Sequence, residues 1–300
     1  MRNLTIAATQ MACGWDRDAN IAAAEDLIRQ ARARGAQIVL LQELFEFPYF
    51  CKDEADRHFA LAEPIDRQPA LARLRRLAAE LEVVVPVSVF ERDGDRYFNS
   101  LVLVDADGGI AGHYRKSHIP QFPGYRENYY FRPGDTGFLV ADTRYGRIGA
   151  AICWDQWFPE AARCMVLAGA ELLVYPTAIG SEPGQPGIDS KAHWQHVMQG
   201  HAAANLVPVA ASNRVGEEAG ESCTLTFYGS SFIVDQHGNL LAEAPREGQA
   251  VIAATVDLDA VAAARSSWGI FQTRRPDLYA RILEGAKQPE TSVSRAAGRV

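Results

Sequence analysis

Apolar positions along this chain switch between a period of two and a period of about 3.6, and the switching predicts strands interleaved with helices. The run LTIAATQ (4–10) reads as a first strand. In DANIAAAEDLIRQARARGAQIVLLQE, Ile21, Ala24, Leu27, Ile28 and Ala31 recur at helical spacing, Gly35 ends the helix, and QIVLLQE (37–43) returns to a strand. A second helix, PALARLRRLAAELE, delivers the chain to VVVPVSVFERDGDRYFNSLVLVDADGGIAGHYR, where Asp93-Gly94 and Gly108-Gly109 mark hairpin turns. After an irregular segment from Lys116 to about Thr136 the same order returns: GRIGAAIC as strand, PEAARCMVLAGA as helix, ELLVYPTA as strand, a helix around DSKAHWQHVMQGHAAAN, and LVPVAASN as strand. GSSFIVDQHGNLLAEAP and QAVIAATVDLDAV close a β-rich stretch.

This is α/β grammar stated twice, and it suggests a layered pseudo-repeat. In both halves a strand ends in polar chemistry, LLQE in the first and AAIC in the second. No linker or low-complexity tract divides the chain. One domain over 1–285 is therefore expected, with a C-terminal arm from about Trp268 and a frayed tail over 286–300.

Composition narrows the function classes. The 300 residues are 48% hydrophobic and 22% charged, with a formal net charge of −7, so no basic stripe exists to neutralise nucleic-acid phosphates. A cationic small molecule is the better electrostatic match. No apolar run reaches the roughly 18 residues of a membrane span, and polar residues interrupt any signal-peptide core near the start. The five cysteines are scattered without a C-x-x-C pair, which points to a reducing cytoplasm and away from a zinc site. His193 and His196 stand three apart on a predicted helix, but Trp194, Val197 and Met198 make a packing helix the simpler reading. Cofactor and metal are both expected to be absent. A thiol sensor based on Cys153 would lack an evident resolving cysteine.

The candidate chemistry centres on Cys153. A thiol at a strand end, entering a helix, would have its pKa lowered by backbone N–H groups, and the N–H of Trp154 would be placed to receive an oxyanion. No histidine presents itself as base. Glu43 ends one apolar strand and Lys116 follows a β-rich run, a carboxylate and a cation in positions suited to a base and an oxyanion stabiliser.

The order LLQELFE, YRKSHIP, AAICWDQWFPEAAR resembles the nitrilase superfamily of carbon–nitrogen hydrolases, over nearly the whole chain to about Leu283. The resemblance implies a four-layer αββα sandwich, Glu43 as general base, Lys116 as oxyanion stabiliser, Cys153 as nucleophile and Glu127 as a second glutamate orienting Lys116 or the hydrolytic water. Longer stretches, among them KSHIPQFPGYRENYYF and SSWGIFQTRRPDLY, are similar to the N-carbamoylputrescine amidohydrolase branch, which implies hydrolysis of a terminal ureido group in polyamine synthesis, without cofactor, by a homo-oligomer joined in part through its C-terminal arm. ELFEFPYFC and GQPGIDS depart from that branch at the pocket mouth. For the substrate's ammonium the first candidate is Glu182, with Tyr49, Tyr125, Tyr129, Trp154 and Trp157 as walls and Asp155 and Glu46 as further negative groups. The alternative, an amidohydrolase for N-carbamoyl-β-alanine or another ω-amide, would need Arg126 or Arg214 to meet a carboxylate. A non-catalytic scaffold would be expected to show a broken triad, and Glu43, Lys116 and Cys153 are all present.

Overall fold

The computed structural model describes residues 1–284; the tail expected over 286–300 lies outside them. The first half runs β1 (Asn3–Gln10), α1 (Arg17–Ala33), β2 (Ile38–Leu40), α2 (Pro69–Leu81), β3 (Val85–Asp93), β4 (Arg96–Val104), β5 (Ile110–Arg115) and a single turn α3 (Glu127–Tyr130). The second half runs β6 (Leu139–Thr143), β7 (Gly146–Ala150), α4 (Pro159–Leu167), β8 (Leu172–Pro176), α5 (Lys191–Asn205) and β9 (Val209–Ser212). A hairpin of β10 (Val215–Ala219) and β11 (Thr224–Tyr228) follows, then β12 (Phe232–Val234), β13 (Leu240–Glu243), β14 (Ala250–Asp257) and α6 (Leu258–Trp268).

Two sheets result. In one, β14-β1-β2 and β3-β4-β5 join where Val39 N–H donates to Val84 O and Val84 N–H to Gln37 O, each at 2.9 Å. The other is ordered β13-β12-β9-β8-β7-β6. The pairs β1/β2, β7/β8 and β8/β9 are parallel, so each half contains the β-α-β unit that the hydrophobic period predicts.

Alternation decides what each face meets. In β1, Leu4, Ile6 and Ala8 enter the core shared with the second sheet, while Ala7 joins the cluster under α1 and α2. The helical stripe Ile21, Ala24, Leu27, Ile28, Ala31 lies wholly in that outer cluster, beside Leu71, Leu74 and Leu77 of α2. On the far side Met165 of α4 and Trp194 and Met198 of α5 cover the second sheet. The layers are therefore helix, sheet, sheet, helix.

Two strands stop earlier than their apolar runs. β2 ends at Leu40 and β7 at Ala150, so Glu43 and Cys153 each stand three residues beyond a central strand. Backbone turning explains both, since Leu44 and Cys153 have φ of 48° and 42°, the left-handed region that a side chain with a Cβ rarely occupies. The expected final strand also ends sooner, at Asp257, whose carboxylate accepts from Asp259 N–H at 2.9 Å and Ala260 N–H at 3.3 Å and starts α6 instead. Trp268 at the end of α6 and Leu278 and Leu283 beyond it are exposed. Among the described residues no helix is long and apolar enough to cross a membrane.

Candidate active site

Loops at the ends of β2, β5, β7 and β8 converge on one buried charged group. Lys116 follows β5, its backbone N–H bonded to Asn99 O and its carbonyl to Gly134 N–H, both at 2.8 Å, so the side chain turns inward. There Nζ donates to Glu43 Oε1 and to both carboxylate oxygens of Glu127, each at 2.8 Å. The side chains of Lys116 and Glu43 are fully buried and that of Glu127 is 1% exposed. Burial alone would lower the Lys116 ammonium, but Glu127 and Glu43 outweigh it and hold it well above its ordinary value. Burial raises the Glu127 carboxyl, against Lys116 and with Glu43, to about 7.

Two further side chains tie the carboxylates together. Asn99 Nδ2 in β4 donates to Glu43 Oε1 at 2.7 Å and to Glu127 Oε2 at 3.3 Å. The Tyr49 hydroxyl donates to Glu127 Oε1 at 2.8 Å. Asn99 was not anticipated; its signal is an amide inside the buried strand NSLVLV, where a polar side chain needs a partner. Glu43 Oε2 is buried with no hydrogen-bond partner among the described residues, which leaves one carboxylate oxygen to take a proton.

Cys153 opens a five-residue 3-10 turn, Cys153–Trp157, that precedes α4. The helix expected to start at this thiol begins later, at Pro159, with the 3-10 turn between them. Burial, then Glu43, push the thiol well above its ordinary pKa, and Lys116 only opposes this in part. Cys153 Sγ donates to Ala178 O at 3.8 Å, and Glu43, the carboxylate that helps push the thiol up, is the candidate to take its proton. The turn itself is fixed by Asp155, whose Oδ2 accepts from Ile152 N–H at 3.0 Å and the Tyr114 hydroxyl at 2.8 Å. Its Oδ1 faces His118 N–H at 3.0 Å and Nδ1 at 2.7 Å.

A cleft of about 500 Å³ opens beside this turn, lined by Phe122, Pro123, Trp154, Trp157, Glu182, Gly184, Gln185, Ile188, Ser190 and His193. Aromatic faces follow one another around it: Phe122 to Trp154 at 5.0 Å, Trp154 to Trp157 at 6.1 Å, Trp157 to His193 at 4.8 Å. Glu182 stands among them half-buried, its carboxyl raised by burial against a hydrogen bond from Ser190. Phe122 and His193 were not anticipated as walls.

Other expected groups are placed elsewhere. Tyr49 is fully buried and its hydroxyl is taken by Glu127, so it supports that carboxylate rather than facing a ligand. Tyr125 spends its hydroxyl on Ser181 O at 3.1 Å and Gly180 N–H at 2.9 Å, holding the loop after β8 that carries Glu182. Tyr129 donates to Asp56 at 2.6 Å on the outer face, and Asp155 is consumed by four donors. Glu46 accepts from Ala70 N–H at 3.1 Å at the start of α2. Arg126 pairs with Glu54 at the surface, and Arg214 is buried against the Glu43 loop; neither lines the cleft. His201 gives its Nε2 to Gln156 O at 2.7 Å, a packing role.

The carbon-nitrogen hydrolase family model matches residues 5–266. An N-carbamoylputrescine amidase from Arabidopsis thaliana is 54% identical over 286 residues, covering 94% of this chain and 96% of that protein. A citrullinase from Francisella tularensis is 51% identical, covering 94% and 99%. The crystal structure of a carbon-nitrogen hydrolase from Helicobacter pylori G27 superposes with a TM-score of 0.89 at 38% identity, over 95% of this chain and all of that one.

Proposed function

The chain belongs to the carbon-nitrogen hydrolase family, and from that premise we propose that it hydrolyses N-carbamoylputrescine to putrescine, ammonia and carbon dioxide. The observation that carries the substrate is the cleft beside the Cys153 turn. It offers aromatic faces and one half-buried carboxylate, Glu182, and no lysine or arginine stands among its described lining residues. A diamine carrying one ureido group and one ammonium fits that lining.

The chemistry follows from the buried cluster. Cys153 Sγ attacks the ureido carbon as its proton passes to Glu43, whose Oε2 is unoccupied. The developing oxyanion is met by Lys116 Nζ and the Trp154 N–H. Collapse expels ammonia with the proton from Glu43 and leaves the thiol carbamoylated. Water that loses a proton to Glu43 then attacks the same carbon, thiolate leaves and takes that proton back from Glu43, and the released carbamic acid loses carbon dioxide to give the free amine. Glu127 keeps Lys116 charged and shared, so that the ammonium does not close on Glu43 alone.

That last role has a pH signature. Protonating Glu127 leaves Lys116 with Glu43 as its one carboxylate partner and engages the base. Activity is expected to fall as pH drops through about 7, where the Glu127 carboxyl titrates. Glu127→Gln copies the protonated form: kcat at pH 8 falls by about 10- to 100-fold, and the acid limb near 7 disappears from its pH profile. An acid limb unchanged in the variant would remove Glu127 from this role.

Specificity is tested at Glu182. Losing a partly buried charge-assisted contact costs about 1.5–3 kcal/mol, so Glu182→Gln should lower kcat/KM for N-carbamoylputrescine by about 10- to 150-fold. The loss should appear chiefly in KM, read by ammonia release. Citrulline is the second reading, favoured by the citrullinase relative; it shares the ureido and ammonium groups but adds a carboxylate for which the lining offers no arginine or lysine. Assayed in parallel, N-carbamoylputrescine should be preferred over citrulline and over N-carbamoyl-β-alanine. Preference for N-carbamoyl-β-alanine, which has no ammonium, would withdraw Glu182 as ammonium anchor, and preference for citrulline would withdraw the diamine as substrate; either leaves the triad standing. The exposed arm residues Trp268, Leu278 and Leu283 support assembly of copies of this chain, and five free cysteines suit a reducing cytoplasm.

A further inference from the structure

Outside the reacting groups, Arg214 is a fully buried charge just after β9, its Nε without a partner among the described residues. Its Nη1 donates to Phe47 O at 2.9 Å and its Nη2 to Glu43 O at 2.9 Å and to Leu44 O, so one guanidinium gathers three carbonyls of the loop that bears Glu43. The loop passes through the left-handed Leu44; its N–H groups are held separately, Leu44 N–H by Ser88 Oγ of β3 at 3.0 Å and Glu43 N–H by Thr177 O at 3.3 Å, so Arg214 supplies the carbonyl side of its anchoring. The remaining charge is met by Glu218 of β10, whose Oε1 accepts from Arg214 Nη1 at 2.9 Å.

Glu218 reaches onward. Its Oε2 accepts the Tyr49 backbone N–H at 2.5 Å, and Lys52 Nζ, 3.6 Å from that carboxylate, donates to Tyr49 O at 2.9 Å. Tyr49 is thus gripped at both backbone groups, and its hydroxyl is the one on Glu127. The pair has two outputs: the backbone of Glu43 through Arg214, and the carboxylate of Glu127 through Tyr49.

We propose that the buried Arg214–Glu218 pair, delivered by the β10–β11 hairpin, is the positioning brace that sets Glu43 and Glu127 around Lys116. It rests on Glu43 being the base, and it gives the hairpin a catalytic consequence although none of its residues touches the reacting atoms. A buried ion pair held by this many hydrogen bonds is poor evidence for stability as such but is well suited to fixing one geometry.

Glu218→Gln tests it. Glutamine keeps the volume but turns one acceptor into a donor, so either Arg214 Nη1 or the Tyr49 N–H faces a donor. With N-carbamoylputrescine, kcat should fall by about 10- to 100-fold, the range expected for a displacement near 1 Å, while KM changes by less than about threefold. Alkylation of Cys153 by iodoacetamide, measured against pH, should shift to lower pH as Glu43 moves off the thiol. Glu221→Gln, on the same hairpin but exposed and paired only with Arg57, should behave as wild type. If the first variant does not fold, Tyr49→Phe removes only the hydroxyl on Glu127 and should lower kcat by itself. A wild-type kcat with an unshifted alkylation profile in Glu218→Gln, an unchanged kcat in Tyr49→Phe, or an equal loss in Glu221→Gln overturns the brace. Full activity in Glu43→Gln would instead strike down the base on which the brace acts.

Discussion

Cys153→Ala is expected to lower kcat/KM for N-carbamoylputrescine by about 10⁴-fold or more, the scale seen when the nucleophile of a covalent mechanism is removed. The ureido carbon is a weak electrophile flanked by two nitrogens, and without the thiol the cleft retains an oxyanion site and a carboxylate but nothing that forms a bond to carbon. The backbone at Cys153 is in the left-handed region in any case, so alanine keeps the turn, and the Asp155 contacts that hold it do not involve the thiol. Thermal unfolding should therefore move by only a few degrees, which separates lost chemistry from lost fold. Mass spectrometry of wild-type protein quenched during turnover should find the carbamoyl adduct on the peptide containing Cys153 and none on the exposed Cys164. Ammonia release persisting in the variant at more than about a hundredth of the wild-type rate would transfer the chemistry to water activated directly by Glu43, and the covalent route would fall.

The parts of this site that were legible in the sequence are those announced by hydrophobic period. Glu43 and Cys153 follow apolar strand runs and Lys116 follows a β-rich one, so a charged or nucleophilic residue there stands out against its neighbours. What the pattern does not carry is aim. Arg214 has the composition of a carboxylate reader, and only the fold, which brings it to residues about 170 positions earlier, turns its fork onto the carbonyls of the Glu43 loop. Tyr49, Tyr125 and Tyr129 look alike in sequence, yet one supports Glu127, one holds the backbone of the loop before Glu182 and one faces outward. The surroundings of Cys153 were hidden for a related reason: spacing suggested a helix N-terminus, but a 3-10 turn intervenes, and burial together with Glu43 pushes the thiol up.

The second large effect belongs to Lys116→Met. Methionine matches the stem of lysine and removes the charge that Glu43 and Glu127 share at 2.8 Å. Loss of the oxyanion stabiliser alone is worth about 10²- to 10³-fold in kcat, and the two carboxylates, now unshielded from each other, add to it because the base no longer holds its position. Stability falls as well, by about 3–5 kcal/mol near neutral pH, since breaking a buried pair strands its partners. The sign with pH follows from the remaining groups. Burial and Glu43 already raise the Glu127 carboxyl, Lys116 opposes them, and its removal drives that carboxyl higher. A carboxyl whose folded pKa lies above its unfolded one stabilises the fold below the unfolded value, and that contribution is lost as pH rises through the folded one. Wild type already carries a Glu127 carboxyl raised to about 7, so both proteins lose this contribution together below that pH. The stability deficit of Lys116→Met should therefore be level below about pH 7 and grow above it, where the variant still takes up a proton on folding and wild type no longer does. Thermal unfolding followed at several pH values reads this directly. A deficit that does not grow as pH rises above about 7 would mean that Lys116 contributes packing rather than charge, and the electrostatic account of how Glu43 and Glu127 coexist in one dry site would have to be abandoned.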